Sequence, residues 1–206
     1  MRIVQVFLAN AVVLMLLSTA VSAQTADTEL PRFEQVSERL YRGAQPRAGG
    51  LRRLRELGID TIVNLRGTGE LTRAEEAEAR ALGLNYFNIP LPNWGRPQDT
   101  RVRRILLIIA APQNGRVFVH CRDGVDRTGT IVALHRIAHE GWDRSDALAE
   151  AERLGMRRFQ FWMRDYAGEY GRAGTDFDDR LGVGARIVEV YLHRAPGVIS
   201  KFLGVF

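Results

Sequence analysis

The chain is 206 residues long, carries a net charge of +5 and contains one cysteine. That count excludes an internal disulfide, and a lone cysteine among four histidines lacks the paired ligand spacing of a zinc site, so no metal or other cofactor is predicted. The modest positive charge favours anionic ligands, whereas scattered arginines without a recognised motif argue against nucleic acid as a partner.

The first 23 residues have the pattern of a secretory signal peptide. Arg2 gives a positive start, the run 4–17 is mostly apolar, and the segment ends in small residues at Ala23. The apolar run is shorter than the roughly 20 residues that a membrane span needs. We therefore expect cleavage near Ala23, one domain over 24–206, and export to a bacterial periplasm or beyond. An uncleaved membrane anchor is the alternative.

Strand and helix patterns alternate along the rest of the chain. Short β-branched or apolar runs predict strands, and apolar residues at helical spacing, closed by glycines, predict helices. The strands are expected at 40–42, 61–65, 86–89 and 117–120, and the helices at 51–57, 70–82, 100–111, 128–140, 143–154 and 159–170. Such alternation predicts an α/β fold with a largely parallel sheet covered by helices, and ligands at the carboxyl ends of its strands.

The cysteine lies between the predicted strand 117–120 and the next helix. Cys121 directly follows His120, and Arg127 comes six positions after Cys121. The loop between them can turn its N–H groups inward, and the start of the helix adds a positive field, so the loop can hold a tetrahedral dianion. The same field favours the thiolate form of Cys121, which could attack a bound phosphorus atom.

The pattern His-Cys-x5-Arg-Thr-Gly over 120–129 resembles the signature of the cysteine-dependent protein tyrosine phosphatases. The segments 40–46 and 58–66 are similar to the opening strands of the dual-specificity branch, so that the resemblance covers about residues 33–170. It implies a dual-specificity-phosphatase-like fold and hydrolysis of phosphate monoesters through a phosphocysteine.

Roles within the loop follow from its expected geometry and from this resemblance. Cys121 is the expected nucleophile, Arg127 would grip two phosphate oxygens, and the Thr128 hydroxyl would bind the sulfur when it leaves. His120 would order the loop, and Gly129 would let the following helix pack close to the strand. The residues expected around the phosphate are Arg122, Asp123, Gly124, Val125, Asp126 and Arg127.

Two aspartates are candidates for the general acid that protonates the leaving group. Asp126 precedes Arg127, in a Cys-x-Asp-Gly-x-Asp-Arg arrangement that is also similar to myotubularin-type phosphatases, and it is preferred here. The superfamily more often places the acid on an upstream loop, where Asp99 is the only acid over 90–99. The structural alternatives are an ion pair with an arginine for Asp126 and a helix cap for Asp99.

The sequence leaves the substrate open. Phosphotyrosine, phosphoserine or phosphothreonine proteins follow from the resemblance. The acids of the loop, Arg122 and the export signal also favour phosphoinositides, inositol phosphates or phospholipid head groups, on which Arg122 could contact a second phosphate. A catalytically silent phosphate-binding module and a rhodanese-like sulfur transferase are the alternatives, although the transferase loop tends to be shorter and lacks the Arg-Thr-Gly ending.

Three further features have simple expected roles. Trp94 and Arg96 could form part of a lid over the substrate. The aromatic residues Phe159, Phe161 and Trp162 are expected in the core. The apolar tail 197–206 could touch a membrane surface, but packing onto the domain is favoured, and a monomer is expected.

Overall fold

The computed structural model describes residues 29–170. The predicted signal peptide and the apolar tail 197–206 lie outside them. The strands are β1 (Glu34–Gln35), β2 (Leu40–Gly43), β3 (Thr61–Asn64), β4 (Asn85–Asn88) and β5 (Val117–His120). The helices are α1 (Gly50–Glu56), α2 (Glu70–Ala81), α3 (Asp99–Ala110), α4 (Asp126–His139), α5 (Arg144–Arg153) and α6 (Phe161–Glu169), with a 3-10 turn at Pro112–Asn114.

The strands form one sheet in the order β1-β2-β5-β3-β4. Strands β2, β5, β3 and β4 are parallel, and only β1 pairs antiparallel, with β2. In the register of the sheet His120, the last residue of β5, lies beside Gly43 of β2 and Asn64 of β3. The loop that follows His120 therefore emerges between the carboxyl ends of two neighbouring strands, where open parallel sheets bind ligands.

The alternation of side chains along β5 divides the core into two layers. Val117 and Val119 belong to a buried cluster with residues of α3, α4 and α6, whereas Phe118 belongs to a cluster with residues of α1 and α2. Successive residues of a strand point to opposite faces, so a strand that is apolar at every position must be covered on both sides. The two helical layers hold β5, and with it the loop at its end, inside the domain.

Helices α4 and α5 pack closely at Gly129. A Cβ added at Gly129 would lie 3.2 Å from the Met156 side chain and 3.7 Å from Ala151. Gly129 thus allows the segment containing α5 to approach α4, and the expectation that it serves contact between helix and strand was wrong.

The predicted α/β fold with a largely parallel sheet is confirmed, and each of the four strands and six helices predicted from the sequence lies within one or two residues of its predicted bounds. Strand β1 was missed because it has two exposed residues and no apolar alternation. No helix within residues 29–170 is long and apolar enough to cross a bilayer.

Candidate active site

Cys121 lies at the base of the loop between β5 and α4. Its side chain is buried, with 2% of the residue exposed. The backbone N–H of Gly124 donates to the Cys121 Sγ atom at 3.2 Å. An N–H directed at sulfur stabilises negative charge there, and the start of α4 at Asp126 adds the positive end of a helix dipole. The loop thus places an N–H donor and the start of a helix at the Cys121 sulfur.

Gly124 connects this loop to β2. Its φ is +71°, and a Cβ at this position would lie 2.6 Å from the backbone nitrogen of Ala44 and 2.6 Å from the carbonyl carbon of Gly43. Its carbonyl accepts a hydrogen bond of 2.7 Å from Nη2 of Arg42. Only a residue without a side chain can adopt this backbone conformation at such close approach.

Arg42 is a buried cation close to the nucleophile. It projects from β2 with 2% of its surface exposed. Burial lowers the pKa of Arg42, while attraction to Glu34, Glu150 and Cys121 opposes that shift. Its guanidinium therefore fixes the Gly124 carbonyl and adds positive charge on the side of the loop away from solvent.

His120 is held by a buried polar network. Its Nε2 atom lies 2.8 Å from Oε1 of Glu75, and its Nδ1 atom lies 3.3 Å from the carbonyl oxygen of Cys121. The other oxygen of Glu75 accepts a hydrogen bond of 2.7 Å from Asn64, whose amide lies 2.8 Å from the hydroxyl of Tyr86. Burial raises the pKa of Glu75, but the contact with His120 and further hydrogen bonds outweigh it, so that this pKa is lowered overall.

Glu75 is a residue that the sequence did not single out. It shares one buried face of α2 with Thr72 and Ala79. The available signal in the sequence was its spacing, three residues after Thr72 and four before Ala79, which puts an acid in line with two small residues on one face of the helix. The partner of that acid could not be read from the helix pattern, because His120 is contributed by a different strand.

Arg127 and Thr128 lie in the first turn of α4, directly after the loop. Arg127 donates through Nη1 to the carbonyl of Leu65 at 3.2 Å, which fixes the guanidinium at the end of β3. Thr128 is fully buried, and its hydroxyl has no hydrogen-bond partner among residues 29–170. A buried hydroxyl without a partner is uncommon in a folded protein. This feature favours a role for Thr128 towards a group that the folded chain itself does not supply.

Asp126 and Asp123 both contact Arg157, which follows α5. Asp126 is 5% exposed and accepts hydrogen bonds from the Arg157 backbone at 2.9 Å and from its Nε at 2.7 Å, with Nη2 also in contact. Asp123 accepts two hydrogen bonds from Arg122, which lower the pKa of Asp123. The contacts of Asp126 favour the ion-pair alternative, and its preferred role as proton donor stays a prediction.

Asp99 lies in the first turn of α3 and faces α6. Its Oδ1 atom accepts a hydrogen bond of 2.9 Å from the Tyr166 hydroxyl. Burial and this bond raise the pKa of Tyr166, so the phenol stays a donor. Asp99 is exposed, and the helix cap that was its structural alternative is instead Gln98. The Tyr166 ring belongs to the buried core layer that also contains Cys121.

The segment before Asp99 packs on α6. Arg96 pairs with Glu169 at 2.6 Å and lies over the Tyr166 ring. Trp94 contacts the rings of Phe159 and Trp162, at centroid distances of 6.1 and 5.2 Å.

The expectation that Phe159, Phe161 and Trp162, just before and at the start of α6, lie in the core was wrong for two of them. Phe159 is 53% exposed and Phe161 is 57% exposed, while Trp162 is half-buried. Phe159 stacks on Trp94, which is itself 66% exposed, so these rings cover one another at the surface rather than entering either core layer.

Comparison with known proteins identifies the family. A family model described as a DSP-PTPase phosphatase fused to NAD+ kinase matches residues 12–165. The dual specificity protein phosphatase TpbA of Pseudomonas aeruginosa is 32% identical over 168 residues, which cover 76% of this chain and 73% of that protein. The chain belongs to the dual-specificity branch of the cysteine-dependent protein tyrosine phosphatases.

Solved structures agree with this assignment. The crystal structure of P. aeruginosa TpbA in complex with phosphotyrosine is 30% identical, covers 74% of this chain and 90% of its own, and has a TM-score of 0.57. The core catalytic domain of the PP-IP phosphatase SIW14 from S. cerevisiae has a TM-score of 0.65 over 81% of this chain and 96% of its own. At 19% identity, the latter similarity shows the fold alone.

These comparisons confirm the family resemblance seen in the sequence. The chain is therefore an enzyme of the dual-specificity phosphatase kind, a class that uses a catalytic cysteine. The structure places Cys121, Arg122, Asp123, Gly124, Val125, Asp126, Arg127 and Thr128 in one loop and the first turn of α4. It places Asp99 on a separate element, at the start of α3. The catalytic roles of these residues remain predictions.

Substitution of Gly124 by alanine should disrupt the loop of this phosphatase. The added Cβ would overlap the backbone of residues 43 and 44, and alanine at positive φ is strained, so we expect a loss of about 1–3 kcal/mol in the free energy of unfolding. The rate at which iodoacetamide alkylates Cys121 should also change, because the Gly124 N–H contacts the Cys121 sulfur. Gly67→Ala is the control, because nothing lies within 4 Å of its added Cβ and its surface is exposed. Equal stability of the two variants in urea would contradict the assigned role of Gly124.

Glu75 should make the stability of the phosphatase depend on acid pH. The pKa of Glu75 is lower in the folded state than its ordinary 4.5, so the unfolded state binds more protons and the stabilisation is lost as pH falls below 4.5. We expect Glu75→Gln to be less stable than wild type at pH 7, with the difference narrowing below pH 4.5, as measured by urea unfolding at several pH values. Glu76→Gln, which removes a surface pair with Arg80, is the control. A difference that is constant with pH would rule out the Glu75 contribution.

Proposed function

We propose that this chain hydrolyses phosphate monoesters through a phosphocysteine formed on Cys121. The observation that carries the proposal is the buried Cys121 sulfur that accepts the Gly124 N–H at the base of a loop bounded by Arg127 and the start of α4. Family membership supports the same chemistry and favours it over a silent binding module or a sulfur transferase. The TpbA complex with phosphotyrosine supports phosphotyrosine as one substrate side chain.

The reaction has two displacement steps. In the first, the Cys121 thiolate forms a bond to phosphorus as the bond to the ester oxygen breaks, and a proton is transferred to the leaving oxygen. In the second, water attacks phosphorus, the S–P bond breaks and inorganic phosphate leaves, while the carboxylate formed in the first step takes the proton from water and is restored as the acid. Arg127 and the loop N–H groups bind the phosphate oxygens in both steps, and the Thr128 hydroxyl donates to the sulfur as it leaves.

We assign the proton transfer to Asp99 in preference to Asp126. Arg157 donates to both carboxylate oxygens of Asp126. Asp99 accepts a hydrogen bond from Tyr166 at Oδ1, and its side chain is exposed to solvent. The bond from Tyr166 holds the Oδ1 atom of Asp99 against α6. Asp126, held by Arg157, would brace the loop.

We also propose that the enzyme acts outside the cytoplasm. The proposal is supported by the basic start, the short apolar run and the small residues that end at Ala23. Mass spectrometry of the protein recovered from the periplasmic fraction should find Gln24 as its first residue. Protein in that fraction that still begins at Met1 would contradict cleavage.

The phosphatase chemistry is tested with a generic aryl phosphate. Wild type should release phosphate from para-nitrophenyl phosphate, and Cys121→Ser should lose turnover by at least about a thousandfold, because a hydroxyl in this loop is a far weaker nucleophile than a thiolate. Retained far-ultraviolet circular dichroism would show that the variant is folded. Turnover that survives in folded Cys121→Ser would contradict the proposal.

The two aspartates can be separated by the leaving group. Asp99→Asn should slow hydrolysis of phenyl phosphate by about a hundredfold or more, and hydrolysis of para-nitrophenyl phosphate much less, since a good leaving group needs little protonation. Asp126→Asn should instead lower thermal stability and slow both substrates to a similar extent. Asp60→Asn, at the amino end of β3, is the control. A leaving-group-dependent loss in Asp126→Asn alone would restore Asp126 as the acid.

A further inference from the structure

A cavity lies where the β1–β2 edge of the sheet meets the end of α5. Its volume is about 470 Å³, which is within the usual range of ligand sites. Three arginines from separate segments line it: Arg32 precedes β1, Arg42 lies on β2, and Arg153 is the last residue of α5. Within residues 29–170, Glu34 is the single acid of the lining, so the arginines leave an excess of positive charge. We call this the edge cavity and define it by these four residues.

The edge cavity is separate from the Cys121 loop. In the described part of the chain, no residue of 121–128 lines it. Arg42 joins the two, because its side chain lines the cavity while its Nη2 atom donates to the Gly124 carbonyl at 2.7 Å. One guanidinium therefore belongs both to the cavity and to the support of the loop.

Arg42 has a donor that the described residues do not use. Only 2% of Arg42 is exposed, and its buried Nη1 atom has no hydrogen-bond partner among residues 29–170. Glu34 and Glu150 attract this cation, but Glu34 is exposed and Glu150 is itself bound to Arg136. Buried N–H groups are nearly always hydrogen-bonded in folded proteins, so an unpartnered nitrogen at this depth favours a ligand as its partner.

The other two arginines of the edge cavity are exposed. Within residues 29–170, neither the Arg32 nor the Arg153 side chain forms a hydrogen bond or an ion pair. Arg32 also has a φ of +56°, a backbone conformation that is uncommon for arginine and persists only where the surrounding structure fixes it. This conformation brings Nη1 of Arg32 to 3.6 Å from the position of a Cβ added at Gly155, which also lines the cavity.

Cations that converge in this way repel one another unless an anion joins them. Burial is the main cause that lowers the pKa of Arg42, and repulsion from Arg32 lowers it further. A dianion between the guanidiniums would replace that repulsion by attraction, and one of its oxygens would accept from Nη1 of Arg42. Hydrogen bonds between oppositely charged groups are about twice as strong as those between neutral groups. The edge cavity therefore suits a compact oxyanion with several acceptor atoms, such as phosphate.

We propose that the edge cavity is an anion site, separate from the site over Cys121, which binds inorganic phosphate between Arg32, Arg42 and Arg153. A ligand on Nη1 of Arg42 restricts the whole guanidinium, because its nitrogens form one rigid plane. The bond from Nη2 to the Gly124 carbonyl is then held more firmly, so that phosphate in the edge cavity orders the Cys121 loop. This binding goes beyond the proposed hydrolysis and does not require it.

Phosphate binding to wild type and to a double variant, Arg32→Gln with Arg153→Gln, tests the proposal. Both arginines are exposed, so the fold should be retained. We expect calorimetry to find one phosphate site fewer per chain in the double variant, because the loss of two charged donors should weaken that site by about tenfold or more. Arg127→Met removes the grip on phosphate in the loop, so it should keep the edge site and lose it when the double substitution is added.

The matched control is Arg52→Gln with Arg73→Gln. Both residues are exposed and lie on α1 and α2, which cover the face of the sheet opposite Arg42. The control removes the same charge, and we expect it to bind as many phosphates as wild type. An equal loss in the control would show general charge attraction and overturn the proposal. Equal numbers of sites in wild type and the Arg32 and Arg153 variant would overturn it too, as would no phosphate binding by folded Arg127→Met.

Hydrogen exchange measures the connection between the edge cavity and the loop. In Arg127→Met, phosphate should slow amide exchange in the peptide that contains Gly124, and the slowing should disappear when Arg32 and Arg153 are also substituted. Exchange in this peptide that phosphate leaves unchanged in Arg127→Met would overturn the ordering of the loop. Failure of wild type to hydrolyse any phosphoester would instead refute the proposed function, and none of these binding measurements needs turnover.

Discussion

The contacts of Gly124 hold the site together. Its N–H donates to the Cys121 sulfur, its carbonyl accepts from Arg42, and its Cα approaches the backbone of Gly43 and Ala44 too closely for a side chain. One residue thus links the nucleophile to the neighbouring strand and to a buried cation. The register that brings Gly43 beside the last residue of β5 makes this approach possible, so the geometry of the loop is a consequence of the parallel sheet.

Charge around the nucleophile is arranged in layers. Arg42 lies beneath the loop and is nearly inaccessible to solvent, Arg127 is fixed at the end of β3, and Arg122 and Arg157 are paired with Asp123 and Asp126. Buried charges are costly unless other groups compensate them. Arg42 is compensated by its hydrogen bond to the Gly124 carbonyl and by attraction first to Glu34, then to Glu150 and Cys121.

The α/β fold and the Cys121 loop could be predicted from the sequence, because both follow from local residue patterns. Apolar runs with β-branched residues define β3 and β5, and the spacing from Cys121 to Arg127 defines the loop. Contacts between segments that are far apart in the chain could not be predicted from the sequence. The pair of Glu75 with His120, the anchor of Arg42 on Gly124, and the hold of Arg157 on Asp126 each join residues at least 31 positions apart. The exposed Phe159 and Phe161 were misplaced for the same reason, since an aromatic run does not reveal which neighbours will cover it.

The central claim is that the Cys121 thiolate becomes covalently phosphorylated during turnover. The most direct measurement mixes the wild-type enzyme with para-nitrophenyl phosphate that carries radioactive phosphorus and quenches the reaction rapidly with acid. Peptide mapping at low pH, where a phosphocysteine survives, then locates the label. We expect the label on the peptide that contains Cys121, formed within the first turnover. Continued phosphate release with no labelled protein, or label on another residue, would contradict it.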